Sequence, residues 1–555
     1  MLKKFKMNIL SKLISCSIIL TAISCSNKDQ ASEAENTINA TDLEKHVIAL
    51  SSDEFQGRKP FTVGEEKTTQ YIADEFKKLG IEGGFNGNYF QEVPAVELNY
   101  SPDKSITINA KNGEIILENT KDYIAKTPHL KDIVEIKNAE IVFAGYGIVA
   151  PEYGWDDYKN IDAKDKIVLV LVNDPGFATQ NKELFKGNAM TYYGRWSYKY
   201  EEAARHGAKG VLVIHSNKPA GYGWEVLTNT SGSGISIQTK DGNAQKCALE
   251  GWITDIAAKK LFEKSGLDFD VLTKKAETPD FNALSLNCNL NLTIKTQLKF
   301  ANSKNVVAII KGTKRPDECI VYSAHWDHFG IGPKQNGDSI YNGAIDNGTA
   351  LGAMLETARA FSNLKTKPER SIVFIAVTAE ETGMIGSKYY VENGLFPPEK
   401  TIANLNYELL LPFGRMKDVT ITGFGQSELD VYVEQAAKDQ DRYIADEPFP
   451  ENGMYFRSDH FSFAQAGIPS LFIKGWQDSR ENGKEWAKDQ INNYWANTYH
   501  KPTDEYNPKI ADLSGCVEDA KLFFKIGYKL SNETSIPKWN EKSEFKAIRE
   551  KSMTK

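Results

Sequence analysis

Positive charge is not in excess in this chain: the formal net charge is -7 at pH 7. A basic footprint for a phosphate backbone is therefore missing, and no nucleic-acid partner is expected. Cysteine is scarce, six in 555 residues. Cys247, Cys288, Cys319 and Cys516 show none of the close pairing that a zinc ribbon or a dithiol redox centre needs. Beyond the first 25 residues no apolar run approaches the ~18 residues needed to span a bilayer as a helix. The glycines near Gly145, Gly221, Gly232 and Gly234 do not stand between a strand and a helix at dinucleotide-binding spacing, which argues against a Rossmann cofactor site. What remains, 41% hydrophobic and 25% charged residues, is ordinary globular composition over a length that allows several domains.

The amino terminus is a separate piece. Lys3, Lys4 and Lys6 precede an apolar stretch from Leu13 to Ile23, and Ala22-Ile23-Ser24 leads to Cys25. This looks like a bacterial lipoprotein signal (1–24), with Cys25 carrying the lipid and 25–38 a polar tether. Export to a periplasm-facing membrane or the cell surface is the expectation. Oxidising surroundings would permit a disulfide, and Cys247 with Cys288 is the expected pair.

Helical periodicity is expected over Thr41–Leu50, with Thr41 as N-cap, and over Gly64–Leu79. Arg58 and Glu65 read as solvated surface. Alternating segments from Pro94 to Val134 read as strands. From about residue 135 to 295 strand and helix alternate, as in a small α/β unit, and EEAARHGAKGVLVIHS resembles the protease-associated domain of secreted peptidases. His206 and His215 there lack acidic company at ligand spacing and read as structural. After Asn305 buried strands return, and the nearly continuous apolar run Ser371–Val377 suits a strand covered on both faces. The charged segment 531–555 reads as surface or partly disordered tail.

Acidic and imidazole residues recur just past these strands: His325, Asp327 and His328, then Asp346, then Glu380 and Glu381, then Glu408. The carboxyl edge of an open α/β sheet is where ligands bind, and imidazole with carboxylate suits zinc or a related metal.

The runs AHWDHFG, GAIDNGTA, TAEETGMIGS, ANLNYELLLPFG, YFRSDHFSFAQAGIPS and YHKPTDEY occur in an order and spacing that resembles the zinc-dependent exopeptidases of the aminopeptidase S, aminopeptidase Y and glutamate carboxypeptidase family. The resemblance spans residues 40 to 530. It implies an α/β fold with a central mixed, mostly parallel sheet flanked by helices, interrupted by a small α/β protease-associated domain. The expected divisions are 39–134 and 135–295, the latter the insert, and 296–530 for the catalytic domain. It further implies two zinc ions, the first on His325, Asp346 and Glu381, the second on Asp346, Glu408 and His500. Asp327 would accept the other ring N–H of His325, Glu380 would be the general base toward a zinc-activated water, and Tyr455 would donate to the oxyanion. His328 and His460 are left between supporting and structural roles.

The chain departs from the family where an aspartate is usual: Glu408 stands there, with Asn406 as the rival position. Glutamate's extra methylene puts the second ion in doubt unless the backbone compensates. An exported aminopeptidase acting on peptides is the leading expectation. The others are a glutamate-releasing carboxypeptidase, for which Arg415, Arg442 and Arg457 are too scattered in sequence to form the needed cluster, and a metal-poor surface binding protein.

Overall fold

The computed structural model describes residues 30–554, so the signal segment and Cys25 lie outside the described residues. The described residues divide into two compact units: 30–91, 304–446 and 462–554 form one, and 92–303 with 447–461 the other. This moves the expected boundaries. The strands between 92 and 134 belong with the second unit rather than with an N-terminal part of the first, and residues 447–461 join it from far along the chain.

In the first unit the strands Arg315–His325, Arg370–Val377, Thr401–Asn406 and Ser470–Lys474 run parallel. Antiparallel neighbours flank them: residues 306–310 pair with 372–376, and Asp418–Ile421 pairs with Ser470–Lys474. The expected mixed, mostly parallel α/β sheet is thus present. Its strands read as unbroken apolar runs because both faces are covered. Ile320, Tyr322, Ala324, Ile372, Phe374 and Ala376 face the larger core, where the helices Ala40–Leu50, Val63–Lys78, Ala350–Ser362 and Ser514–Asn532 pack. Cys319, Val321, Val373, Ile375 and Val377 face the smaller one with Tyr390 and Phe463. The period of two that separates these lists is the pleat of the strand. Tyr322 stacks on Phe374 at 5.2 Å in the larger core, where truncating such a ring costs about 3–5 kcal/mol.

Local expectations need adjusting at several places. Asn39, not Thr41, caps the first of these helices, accepting from the Asp42 amide. The supposed tether is packed from Gln30 onward: its side-chain carbonyl accepts from the Thr366 amide at 2.9 Å, and Ala34 and Ile38 are buried in the larger core. The C-terminal segment is likewise no loose tail. Trp539 donates to the Gly467 carbonyl at 2.7 Å, and Arg549, on the helix Lys546–Met553, donates to the carbonyls of Pro398 and Thr401. Charge alone hid this, because long basic side chains bury their stems and spend their donors on backbone carbonyls.

The second unit has its own parallel strands, Ile133–Phe143, Ile167–Leu171, Gly210–His215 and Leu249–Thr254, with the helix Trp196–Arg205 among its elements. Cys247 and Cys288 are free and sit in different hydrophobic clusters, so the expected disulfide is absent. His206 meets Glu202 at 3.1 Å and His215 meets the Tyr222 carbonyl at 3.1 Å, both structural as expected.

Candidate metal centre

Three of the four parallel strands of the first unit deliver acid or imidazole at or just past their carboxyl ends. His325 ends one strand, Glu380 and Glu381 follow Arg370–Val377 after a short turn, and Glu408 stands just past Thr401–Asn406. Asp346 comes from the turn Ala344–Thr349 and His500 from beyond the helix Gly483–Asn497. Ala379, Leu409 and His500 all hold positive φ, 53°, 51° and 56°. Left-handed backbone on side-chain-bearing residues costs about 1–3 kcal/mol and concentrates where function over-determines the chain.

The side chains converge. Asp346 turns Oδ1 toward His325 Nε2 at 3.2 Å and Oδ2 toward His500 Nε2 at 3.2 Å. Glu408 Oε1 lies 3.4 Å from His325 Nε2, and Glu381 Oε2 lies 3.2 Å from His500 Nε2. One donor atom each from His325, Asp346 and Glu381 lies within 4.8 Å of the others, yet these closest approaches regroup the carboxylates. Glu408 keeps company with His325, and Glu381 with His500, the reverse of the expected division. His325 ends a strand with parallel neighbours on both sides, so strand order alone does not choose between the glutamates: Glu408 stands two residues past the end of one neighbour and Glu381 four residues past the end of the other, beyond a turn. Asn406 is still inside its strand and accepts from Ser323 Oγ at 2.6 Å, which removes it as the rival to Glu408.

These atoms fit bound metal better than they fit one another. Asp346 Oδ1 and His500 Nε2 are buried and make no hydrogen bond of proper geometry, although each has an opposite partner at 3.2 Å. They aim at common points rather than at each other. Hard carboxylate oxygens with imidazole nitrogens are donors that zinc and its neighbours accept, and a carboxylate with one oxygen toward each imidazole is shaped to bridge.

Electrostatics agree. Burial alone would neutralise these groups. It pushes the Asp346 carboxyl up, but His325 and His500 more than offset it and hold it well below the usual range. Burial and Asp346 oppose ionisation of Glu381, while His500 and His328 bring it down to about 2. Burial works against charge on His500, and Glu381 and Asp346 raise it to about 10. For His325 burial is likewise outweighed, by Glu408 and Asp346, and its pKa stands well above 6.5.

Supporting contacts differ from expectation in instructive ways. His325 Nδ1 is 3.1 Å from the Asp327 backbone carbonyl and 3.8 Å from its Oδ1, so the backbone oxygen is the nearer acceptor. The Asp327 carboxylate instead accepts from the amides of Glu380 at 3.0 Å and Glu381 at 3.4 Å, fixing the turn that carries both glutamates. His328 Nδ1 meets Glu381 Oε1 at 2.6 Å, which gives it a supporting role. Tyr455 and His460 belong to the second unit, buried and edge to face at 4.7 Å.

Two organisers escaped the sequence reading. Arg58, expected at the surface, is 0% exposed. All of its N–H donors have carbonyl acceptors: Nε gives to Trp326, Nη1 to Leu50 and Asn342, and Nη2 to Gly343 and Asp346. It thereby ties the loop after His325 to the turn that bears Asp346. Asp504 accepts from the amides of Ile345 and Asp346 through its carboxylate and from Ala344 through its backbone oxygen, each at 3.0 Å. It stands four residues after His500 in the run YHKPTDEY, a legible signal that pointed only to the histidine. Glu65, also expected outside, is buried and accepts from the Phe61 amide at 2.5 Å. Gly343 is required here: its φ is +60°, and a Cβ would stand 2.2 Å from the Asp346 carbonyl and 2.6 Å from the His328 ring.

Sheet edge and donor set together define an α/β protein built to hold divalent cations. Residues 305–518 match the model of Peptidase family M28. Aminopeptidase NAALADL1 of Rattus norvegicus is 31% identical over 125 residues, 22% of this chain and 15% of that protein. Aminopeptidase YwaD of Bacillus subtilis is 28% identical over 347 residues, 60% of each chain. The chain thus spans less than two thirds of the length of these relatives. Among solved structures, the aminopeptidase from Aneurinibacillus sp. strain AM-1 aligns with 91% of this chain and 97% of its own, at 19% identity and a TM-score of 0.48.

Proposed function

We propose that the protein is an exported zinc-dependent aminopeptidase that removes N-terminal residues from peptides. One observation carries the reading: Asp346 presents one oxygen to His325 and the other to His500, with Glu408 beside the first imidazole and Glu381 beside the second. His325, Asp346 and Glu408 would hold one ion, and Asp346, Glu381 and His500 the other. Bound zinc would supply polarisation of the scissile carbonyl and acidification of water toward a pKa of ~7. The chain's own residues do the rest. Asp327 fixes the amide of Glu380, and Glu380 takes a proton from the attacking water and returns it to the leaving amine nitrogen. His328 orients Glu381. Tyr455 as a hydroxyl donor to the oxyanion rests on the sequence resemblance. So does the second unit as a protease-associated module, which its parallel strands and intervening helix suit. Export and a lipid on Cys25 rest on the amino-terminal sequence.

The test is a panel of aminoacyl nitroanilides and N-blocked peptides, with and without chelator, for the parent and Glu380→Gln. Cleavage of free amino termini only, abolished by chelation and reduced about 10²–10⁴-fold in the variant, is expected for a general base. Activity that survives both treatments would sink the mechanism. Release of C-terminal residues from blocked peptides would move the protein to the carboxypeptidase class.

A further inference from the structure

The second unit holds two arginines with no acid to answer them. Arg195 is the N-cap residue of the helix Trp196–Arg205, with its guanidinium carbon 5.1 Å from the Trp196 ring centroid. Lys126 approaches the same ring at 5.5 Å. Arg457, from the returning segment 447–461, lies over the Tyr222 ring at 5.7 Å. Nε and Nη2 of Arg457 are shut from solvent and meet no acceptor. Both arginines act on the half-buried Tyr222, whose hydroxyl pKa burial raises and their charges pull back down. They act on each other as well: burial first and Arg457 second bring Arg195 down to about 9. Among the described residues no side chain pairs with either guanidinium.

The fully buried arginines of this chain are treated differently from these two half-buried ones. Arg58 has its backbone carbonyls, Arg370 has Glu318 at 2.6 Å, and Arg442 has Asp519 at 2.8 Å. Buried donors are as a rule satisfied, and buried charges paired, because the alternative is costly desolvation. Two half-buried like charges that act on each other, one of them with two N–H groups shut from solvent and unpaired, therefore mark a place kept for an anion. The guanidinium is a planar fork that matches the two oxygens of a carboxylate, and the flat faces of Trp196 and Tyr222 suit a planar group better than a tetrahedral one.

We propose that Arg195 and Arg457, between the Trp196 and Tyr222 rings, form a receptor for the carboxylate of a small acid or peptide. The site needs no metal, so it stands or falls separately from the peptidase reading.

The test is calorimetric titration of the full chain after chelator treatment, with acetyl-dialanine, its C-terminal amide and inorganic phosphate as probes. Saturable binding of the acid is expected, weakened about tenfold or more in the amide and in Arg195→Gln and Arg457→Gln. Arg457→Lys, which keeps the charge, should recover part of the loss. Equal binding of acid and amide, or binding unchanged in both glutamine variants, overturns the proposal. Phosphate binding tighter than the acid overturns its carboxylate specificity. Melting separates a receptor from a brace: without ligand the glutamine variants should melt no lower than the parent, since each relieves a like-charge contact. A fall of several degrees in both would make the pair structural and end the argument.

Discussion

Two regions of this protein carry charge that their own surroundings do not balance, and with opposite sign. In the first unit carboxylates crowd around His325 and His500, so that Glu381 is held near 2 and His500 near 10. In the second unit Arg195 lies over the Trp196 ring and Arg457 over the Tyr222 ring, with no acid paired to either. A folded chain tolerates such places only when something outside it completes them. The sign of the imbalance names the guest: cations at the first, an anion at the second. The regions differ also in how they are held. The acidic centre is braced by Arg58, Asp504 and Asp327 through backbone bonds, whereas Arg457 leaves donors unspent.

That contrast can be broken experimentally. Asp346→Asn should have the largest effect: one substitution removes the carboxylate that both imidazoles share, so metal content by mass spectrometry should fall for both ions. Loss of one ion alone would show that the two sites are not joined through Asp346. Chelation of the parent comes next, lowering stability by about 4 kcal/mol if metal is otherwise present at a thousandfold excess over its dissociation constant. Urea unfolding with and without chelator measures it, and an unchanged midpoint would mean that the carboxylates are balanced from within.

Arg58→Lys tests the brace. The charge is retained, but most of the fork's bonds to carbonyls are lost, and at about 1–3 kcal/mol for each buried group left unpaired the cost should reach at least ~3 kcal/mol. The loss should persist after metal removal, because the carbonyls concerned are structural.

The smallest effect concerns the segment that carries Arg457. His460 on it is fully buried, and burial brings its pKa down to about 3, with the Tyr455 backbone opposing. Its folded pKa lies below the unfolded one, so its contribution is present above about 6.5 and is lost as pH falls toward 3. At pH 5 the deficit is roughly 2 kcal/mol. In His460→Phe the stability between pH 6.5 and 5 should decline less steeply than in the parent.

Much of the centre was legible in residue order. His325, Asp346, Glu381, Glu408 and His500 all stand in motifs whose spacing from apolar strands is local information, and the structure brings them together. Asp504 was within reach, four residues past His500. Arg58 was not, because a lone arginine after Gly57 looks like any surface arginine until the carbonyls that receive it are assembled from residues 50, 326, 342, 343 and 346. The cationic cluster was invisible for the same reason: Arg457 seemed isolated because its companion is Arg195, far back in the chain.

Strand character, the two-faced burial of the sheet and the recurrence of acid and imidazole past the strand ends follow from sequence, since each depends on side-chain periodicity or on residue types at short range. Which carboxylate stands beside which imidazole, which arginine is interior, and which unit claims residues 92–134 and 447–461 were decided only by folding. Those outcomes depend on strand order and on contacts between residues hundreds of positions apart. A linear pattern carries no term for either.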